Sequence, residues 1–135
     1  MKGKSIRALI DTQVFLWWIN GEGHIPDRTR DIIAAGVNDL YFSTASILEC
    51  VLKTEMGILV LFEHPEGFIR EQLLYNGFLD LPVLPTHADH VFKLPRLHRD
   101  LFDRILIAQA QIEGMSIITP DPLIRQYDHV VTIWD

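Results

Sequence analysis

Residues 8–18 read ALIDTQVFLWW. An apolar run that begins at Ile6 stops on Asp11, steps through Thr12 and turns straight into a second apolar run. A short aliphatic run of this length reads as a buried strand. Residues 13–20 behind it read as a short helix stopped by Gly21 and Gly23. A strand that feeds a helix within two residues is the start of a βα unit, so the fold depends on whether that unit recurs.

It recurs along the chain. Pro26 suits the first position of a helix that carries Ile32, Ile33 and Ala35 and stops at Gly36. Residues 40–43 form a second apolar strand. The spacing predicts a helix over 44–55, with Ile47, Leu48, Val51 and Leu52 on one face and Gly57 as its stop. Residues 66–75 form another helix, ended near Gly77. Residues 78–84 are extended, but Pro82 and Pro85 demote them to an edge strand or loop. Thr86-x-x-Asp89 resembles a capping box that opens a helix running to Leu94 and closed by Pro95. Asp100 opens a helix over 101–113, with Phe102, Ile105, Leu106, Gln109 and Ile112 at helical spacing and Gly114 as stop. A strand at 115–119, a short helix at 123–127 and a strand at 130–133 complete the pattern. Strands alternating with helices in this way predict an α/β sandwich with a mostly parallel sheet.

The chain has 135 residues, which predicts one domain over 1–135 with no linker or repeat. Apolar residues make up 48% of it, typical of a folded protein and too many for a disordered one. The lone cysteine, Cys50, rules out an internal disulfide and predicts a small core residue. Lys2, Lys4 and Arg7 imitate the basic start of a secretory signal, but Asp11 interrupts the apolar segment, so a reducing cytoplasm is expected. No apolar run approaches the ~18 residues that span a bilayer, so no membrane partner is expected. Twelve basic against eighteen acidic side chains leave a net charge of −6. That argues against coating nucleic acid by bulk charge, while a nuclease, whose metal-binding acids lower the count, stays open.

Topology gathers the acids. In a parallel sheet, strand C-termini and helix N-termini share one edge, where open α/β sheets bind ligands. Asp11 ends the first strand, and Glu49 lies in the first turns of the helix after the second. Asp103 lies in the first turn of the helix before the 115–119 strand, and Asp121 follows that strand. Each also has a plainer reading. Asp11 suits an N-cap, Ser46-x-x-Glu49 suits a capping box, Glu49 pairs with Lys53 one turn on, Asp103 suits the positive end of a helix, and Asp121 sits between prolines as turn chemistry. Two carboxylates ~5 Å apart at an effective dielectric of ~20 repel by about 3 kcal/mol. Four together cost on the order of 10 kcal/mol, comparable to a domain's stability. Such a cluster must take up protons or bind a cation, and an all-oxygen site suits Mg²⁺ or Mn²⁺.

The stretches LIDTQVFLWW, LYFSTASILECVLKTEMGIL, LPRLHRDLFDRILIAQAQIEG and IITPDPLIRQYD resemble the PIN-domain family, most of all the VapC-type toxins of bacterial toxin–antitoxin pairs. The resemblance spans residues 6–128, and FDRILIAQA with a downstream T-x-D is its most specific part. It implies a three-layer α/β/α sandwich and a Mg²⁺- or Mn²⁺-dependent endoribonuclease using one or two ions. It carries over Asp11, Glu49, Asp103 and Asp121 as metal-site and catalytic residues, with Thr12, Ser46 and Thr119 in supporting hydrogen bonds. It further implies an RNA substrate, a 5′-phosphate product, a cognate antitoxin and a homodimer. Gln13 stands where close relatives often have histidine, Leu48 where they often have tryptophan, and Leu101 where they usually have proline. Lys53, Arg99 and Arg104 are the candidates to touch RNA phosphate, although Lys53 also suits a pair with Glu49 and Arg104 a pair with Asp100.

Two other classes compete. One is a catalytically inactive RNA- or protein-binding module on the same fold. The other is a phosphotransfer enzyme with a nucleophilic aspartate, which wants D-x-D after the first strand where this chain has D-T-Q. His87-x-x-His90 with His98 beyond suggests zinc, but no third ligand has the right spacing, so surface or partly buried histidines are expected. The run Phe15 to Ile19 is too apolar for one helix face and is expected to be partly exposed.

Overall fold

The first βα unit follows from its side chains. In β1 (Arg7–Ile10) the first residue is exposed and the next three are buried, so both faces of the strand are apolar, as in the middle of a parallel sheet. Ala8 and Ile10 enter one core and Leu9 the other. Asp11 then caps α1 (Thr12–Asn20). The computed structural model describes residues 5–61 and 64–135; Lys2 and Lys4 lie outside them.

The chain continues through α2 (Asp27–Ala34), β2 (Asp39–Ser43), α3 (Thr44–Glu55), α4 (Pro65–Asn76), β3 (Leu79–Leu81), α5 (Pro85–Val91), α6 (Leu101–Glu113), β4 (Ser116–Ile118), α7 (Pro122–Arg125) and β5 (Thr132–Ile133). The strands form one parallel sheet in the order β3-β2-β1-β4-β5. Leu9 is in register with Tyr41 on one side and Ile117 on the other. The chain steps outward from β1 to β3 and then crosses back to place β4 on the other flank of β1. The strand order therefore reverses at β1, the place where open α/β sheets build their crevice.

Two cores cover the two faces and make a three-layer α/β/α sandwich. One packs Ala8, Ile10, Leu40, Phe42 and Ile118 against α1 to α4. The other packs Leu9, Ile117 and Leu81 against α6 and α7. Phe15 and Phe42 are fully buried with ring centroids 4.3 Å apart, and each such burial contributes about 2–3 kcal/mol. Gln109, buried in α6, donates from Nε2 to the carbonyls of Leu81 (3.4 Å) and Pro82 (3.2 Å), tying the helix to the edge strand β3. Gly114, at φ 67°, ends α6 in the left-handed conformation and turns the chain into β4.

Several local expectations are corrected. Pro26 is the residue before α2 rather than its first. Thr86 caps nothing: α5 starts at Pro85, and the Leu84 N–H donates to His87 Nδ1 at 3.0 Å. Ser43, rather than Ser46, caps α3, accepting from the Ala45 N–H at 3.0 Å. The buried face of α3 is Ala45, Ser46, Glu49 and Cys50. Leu48 and Leu52 are exposed, and Ile47 and Val51 half-buried. The helix turns its small and polar side towards the molecule because that side carries Glu49 to the sheet edge. Phe15 and Leu16 are core, while Trp17, Trp18 and Ile19 are half-buried; the Trp18 indole N–H donates to Asn76 Oδ1 at 2.9 Å.

Candidate metal centre

Each of the four acids sits where a short-range rule holds it. Asp11 caps α1: its Oδ1 accepts from the Gln13 N–H at 3.3 Å, and its own N–H donates to the Ile118 carbonyl at 3.1 Å, fastening it to β4. Asp121 caps α7, with Oδ1 accepting from the Leu123 N–H at 2.9 Å. Thr119, fully buried at the end of β4, joins these two: its hydroxyl donates to Asp11 Oδ2 at 2.6 Å and accepts from the Asp121 N–H at 3.1 Å. Asp103 is the third residue of α6, its N–H bonded to the cap Asp100 at 3.1 Å. Glu49 is buried on the inner face of α3. The plain capping roles of Asp11 and Asp121 are therefore real, and they leave further carboxylate lone pairs facing other chemistry.

Glu49 shows this most clearly. Its Oε2 takes Lys53 Nζ at 2.6 Å, while its Oε1 is buried with no hydrogen-bond partner. An unpaired buried acceptor costs roughly 1–3 kcal/mol, more when charged, and so calls for a ligand.

Charge couples the four. Burial is the main cause that raises the Asp11 carboxyl above its ordinary range; the bonds from Thr119 and Gln13 oppose it, and the charges of Glu49 and Asp121 add to it. Asp103 is pushed up to about 7, first by burial, then by the charges of Asp11 and Asp100, with His98 opposing and Glu49 adding. Lys53 is raised chiefly by its bond to Glu49. Burial pushes the Cys50 thiol up to about 12, with Glu49 next in effect, so it is an inert core residue.

The supporting residues divide. Thr119 bonds Asp11 directly, whereas Thr12 donates to Ser46 Oγ at 2.7 Å rather than to an acid. Lys53 pairs with Glu49. Arg104 does not reach back to Asp100: it donates to the Val91 carbonyl at 3.1 Å, and its Nε is buried without a partner. Arg99 and Arg104 line a cavity of about 420 Å³ together with Arg96 and His98. A smaller cavity of about 170 Å³ is lined by residues that include Thr12, Glu49 and Lys53.

His90 and His98 are partly buried, as expected, and His87 is not. His87 is fully buried, with Nε2 2.8 Å from Glu113, and His90 bonds Gln111, so the pair does not converge on one point. His98 instead joins the acids, with Nε2 2.9 Å from Asp121 Oδ2 and 3.0 Å from Asp103 Oδ2. One ligand atom from each of these three residues lies within 4.8 Å of the others. The sequence signal for His98 is its place five residues before Asp103, just ahead of the Asp100 cap. The carboxylate oxygens fit a hard divalent cation such as Mg²⁺ or Mn²⁺, and the orphan Glu49 Oε1 supplies an acceptor without a protein donor.

A PIN domain family model matches residues 8–130. No curated protein matches the chain. Among solved structures, VapBC2 from Rickettsia felis bound to a promoter DNA fragment is similar at TM-score 0.71 and 12% identity, over 96% of this chain and 100% of that one. DNA-bound VapBC from Salmonella typhimurium is similar at TM-score 0.65 and 14% identity, over 95% and 97%. FitAcB from Neisseria gonorrhoeae is similar at TM-score 0.61 and 16% identity, over 93% and 96%. At these identities the likeness is one of fold.

Proposed function

This chain belongs to the PIN domain family, and from that premise we propose that it is a metal-dependent endoribonuclease, the VapC-type toxin of a toxin–antitoxin pair. The observation that carries the reading is the charge gathered by Asp11, Glu49, Asp103 and Asp121, which reach one sheet edge from four separate segments: beyond the effect of burial, Glu49 and Asp121 raise the Asp11 carboxyl, and Asp11 and Glu49 raise that of Asp103. Asp11, Glu49, Asp103 and Asp121 would hold one or two Mg²⁺ or Mn²⁺ ions. When bound, such an ion acidifies a water and neutralises charge on a phosphodiester under attack.

The chain's own residues prepare that chemistry. Thr119 fixes the Asp11 carboxylate and the Asp121 backbone to one hydroxyl, so the two acids move as a unit. Lys53 occupies Glu49 Oε2 and leaves Oε1 open. Arg99 and Arg104, with Arg96 in the same cavity, give an otherwise acidic protein a local surface for RNA phosphate. Exposed Leu48, Leu52, Met56 and Ile58 run along and just past α3, which supports a protein partner there: the cognate antitoxin or a second copy of the chain. Among the described residues no helix is long and apolar enough to cross a membrane. We place the protein in the cytoplasm, where Cys50 stays reduced, as one domain over residues 1–135.

Purified protein should cleave RNA with Mg²⁺ or Mn²⁺ and stop with EDTA. Asp11→Asn should lose at least about a hundredfold of that cleavage while keeping the wild-type circular dichroism, since it removes one charge from the ion site. Equal cleavage by Asp11→Asn overturns the reading. Tight RNA binding without cleavage by wild type, with no Mn²⁺ uptake in calorimetry, would make the chain a binding module instead.

A further inference from the structure

His98 has no role in the reading above, yet its side chain touches the carboxylates of two of the four acids, Asp103 and Asp121. Its surroundings fix which ring nitrogen carries the proton. The Asp100 backbone N–H lies 3.2 Å from His98 Nδ1 and can only donate, so Nδ1 must present a lone pair. The ring proton is therefore on Nε2, which hydrogen-bonds Asp121 Oδ2 at 2.9 Å and lies 3.0 Å from Asp103 Oδ2. The ring is also held from behind. The His98 backbone N–H donates to the Tyr127 hydroxyl at 2.9 Å, and that hydroxyl donates to the Pro95 carbonyl at 2.8 Å. The side chain is only 10% exposed.

This arrangement decides between two roles. Three ligand-type atoms within 4.8 Å look like a mixed nitrogen–oxygen metal site. Coordination through Nε2 would require that nitrogen to be bare and Nδ1 to carry the proton, facing the Asp100 N–H donor to donor. Histidines that do bind metals donate their second ring N–H to an acceptor, the opposite of what Asp100 offers here. We propose that His98 is a positioning residue whose Nε2–H holds Asp121 and Asp103 side by side, leaving the ion an all-oxygen set of ligands. The inference rests on the metal-dependent reading of the site and adds a reason its acids stay together: one ring nitrogen lies against both the α6 carboxylate and that of the turn after β4. Asp121 Oδ1 is already committed to the Leu123 N–H, so His98 and Leu123 together fix that carboxylate's plane.

The test uses the full chain as wild type, His98→Ala and His98→Gln. Mn²⁺ affinity by calorimetry should fall about tenfold or more in His98→Ala, the usual effect of losing a partner of a metal ligand. His98→Gln, whose side-chain amide N–H replaces the Nε2–H donor, should recover most of it. Pulsed electron paramagnetic resonance of Mn²⁺-loaded wild type should show no directly coordinated ring nitrogen. Nitrogen-15 spectra of the wild-type histidines should show His98 Nδ1 without a proton both before and after Mg²⁺ addition. These two wild-type measurements decide the point even where the alanine variant fails to fold. A coordinated nitrogen that disappears in His98→Ala makes His98 a ligand and overturns the proposal. Equal affinity in all three proteins, or tighter binding in His98→Ala, overturns it as well. Failure of wild type to bind Mn²⁺ removes the metal reading itself, which the RNA-cleavage assay would register independently.

Discussion

Replacing Asp103 with asparagine should make the metal-free protein more stable, and the effect should depend on pH with a sign fixed by the site. The carboxyl of Asp103 is raised from 3.8 to about 7 in the folded chain. Between those values the folded protein holds a proton that the unfolded chain has released. Stability therefore falls as pH rises through that window and levels off above it. A shift of about three units at 1.36 kcal/mol each corresponds to about 4 kcal/mol of ionisation penalty at pH 8. Asparagine keeps the shape and loses the charge, but Asp11 and Glu49 share the strain and relax as well, so a gain of about 2–4 kcal/mol is expected. For a chain of this size that raises Tm by roughly 5–15 °C. The assay is thermal unfolding in EDTA at pH 5 and pH 8, followed by a repeat in excess Mn²⁺. Wild type should lose ground to Asp103→Asn between pH 5 and 8 and regain it with Mn²⁺, since a ligand at a hundred times its Kd adds about 2.7 kcal/mol to the state that binds it. An Asp103→Asn variant no more stable than wild type at pH 8 would refute the reasoning. So would a gain equal at both pH values, which would point to packing rather than charge.

Thr119→Val removes the hydroxyl shared by Asp11 and the Asp121 backbone, and should cost about 1–3 kcal/mol in denaturant unfolding while raising the Asp11 carboxyl further. Lys53→Met strips the buried Glu49 carboxylate of its bonded cation, so it should cost the metal-free protein about 1–3 kcal/mol in denaturant unfolding and weaken RNA retention in filter binding. Arg99→Ala with Arg104→Ala should lower RNA affinity and flatten its salt dependence without altering Mn²⁺ affinity, measured by titration at several salt concentrations. His87→Leu should destabilise the fold by about 2–4 kcal/mol and leave specific RNase activity unchanged, since that ring is buried between Leu84 and Glu113 and touches no acid of the site.

The edge of the sheet was legible in the sequence because two simple periodicities define it. Apolar runs that halt at Asp11 and shortly before Asp121, with a helix after each, place those residues at strand C-termini whatever the strand order. Asp100 before an apolar-periodic helix likewise places Asp103 in its first turn. The side of α3 that faces inwards was not legible. Hydrophobic periodicity chose Ile47, Leu48, Val51 and Leu52, whereas the molecule buries Ala45, Ser46, Glu49 and Cys50. Periodicity reports which face avoids water in isolation. A helix that must deliver an acid to the sheet and press closely on it buries small and polar residues, and its aliphatic face is left over for another surface. The ring of His98 was hidden for a different reason: its partners lie five and twenty-three residues away on separate elements, and no local rule links them.

Strand order supplies the lateral spacing that residue patterns leave open. β1 lies between β2 and β4, and neighbouring strands are about 4.8 Å apart. Asp11 therefore stands between the strand that leads to Glu49 and the strand that leads to Asp121. Asp103 arrives on α6, the helix that crosses from β3 to β4 and packs on the opposite face of the sheet from α1 and α3. With the order β1-β2-β3-β4-β5 the same four residues would share an edge, yet Asp121 would sit two strands further out, about 15 Å from Asp11. At that separation and an effective dielectric of ~20 their repulsion drops to about 1 kcal/mol, too little to demand a cation. The chemistry thus follows from the reversal of strand order at β1 as much as from the acids, and an inserted strand between β1 and β4 would remove it with every acid intact.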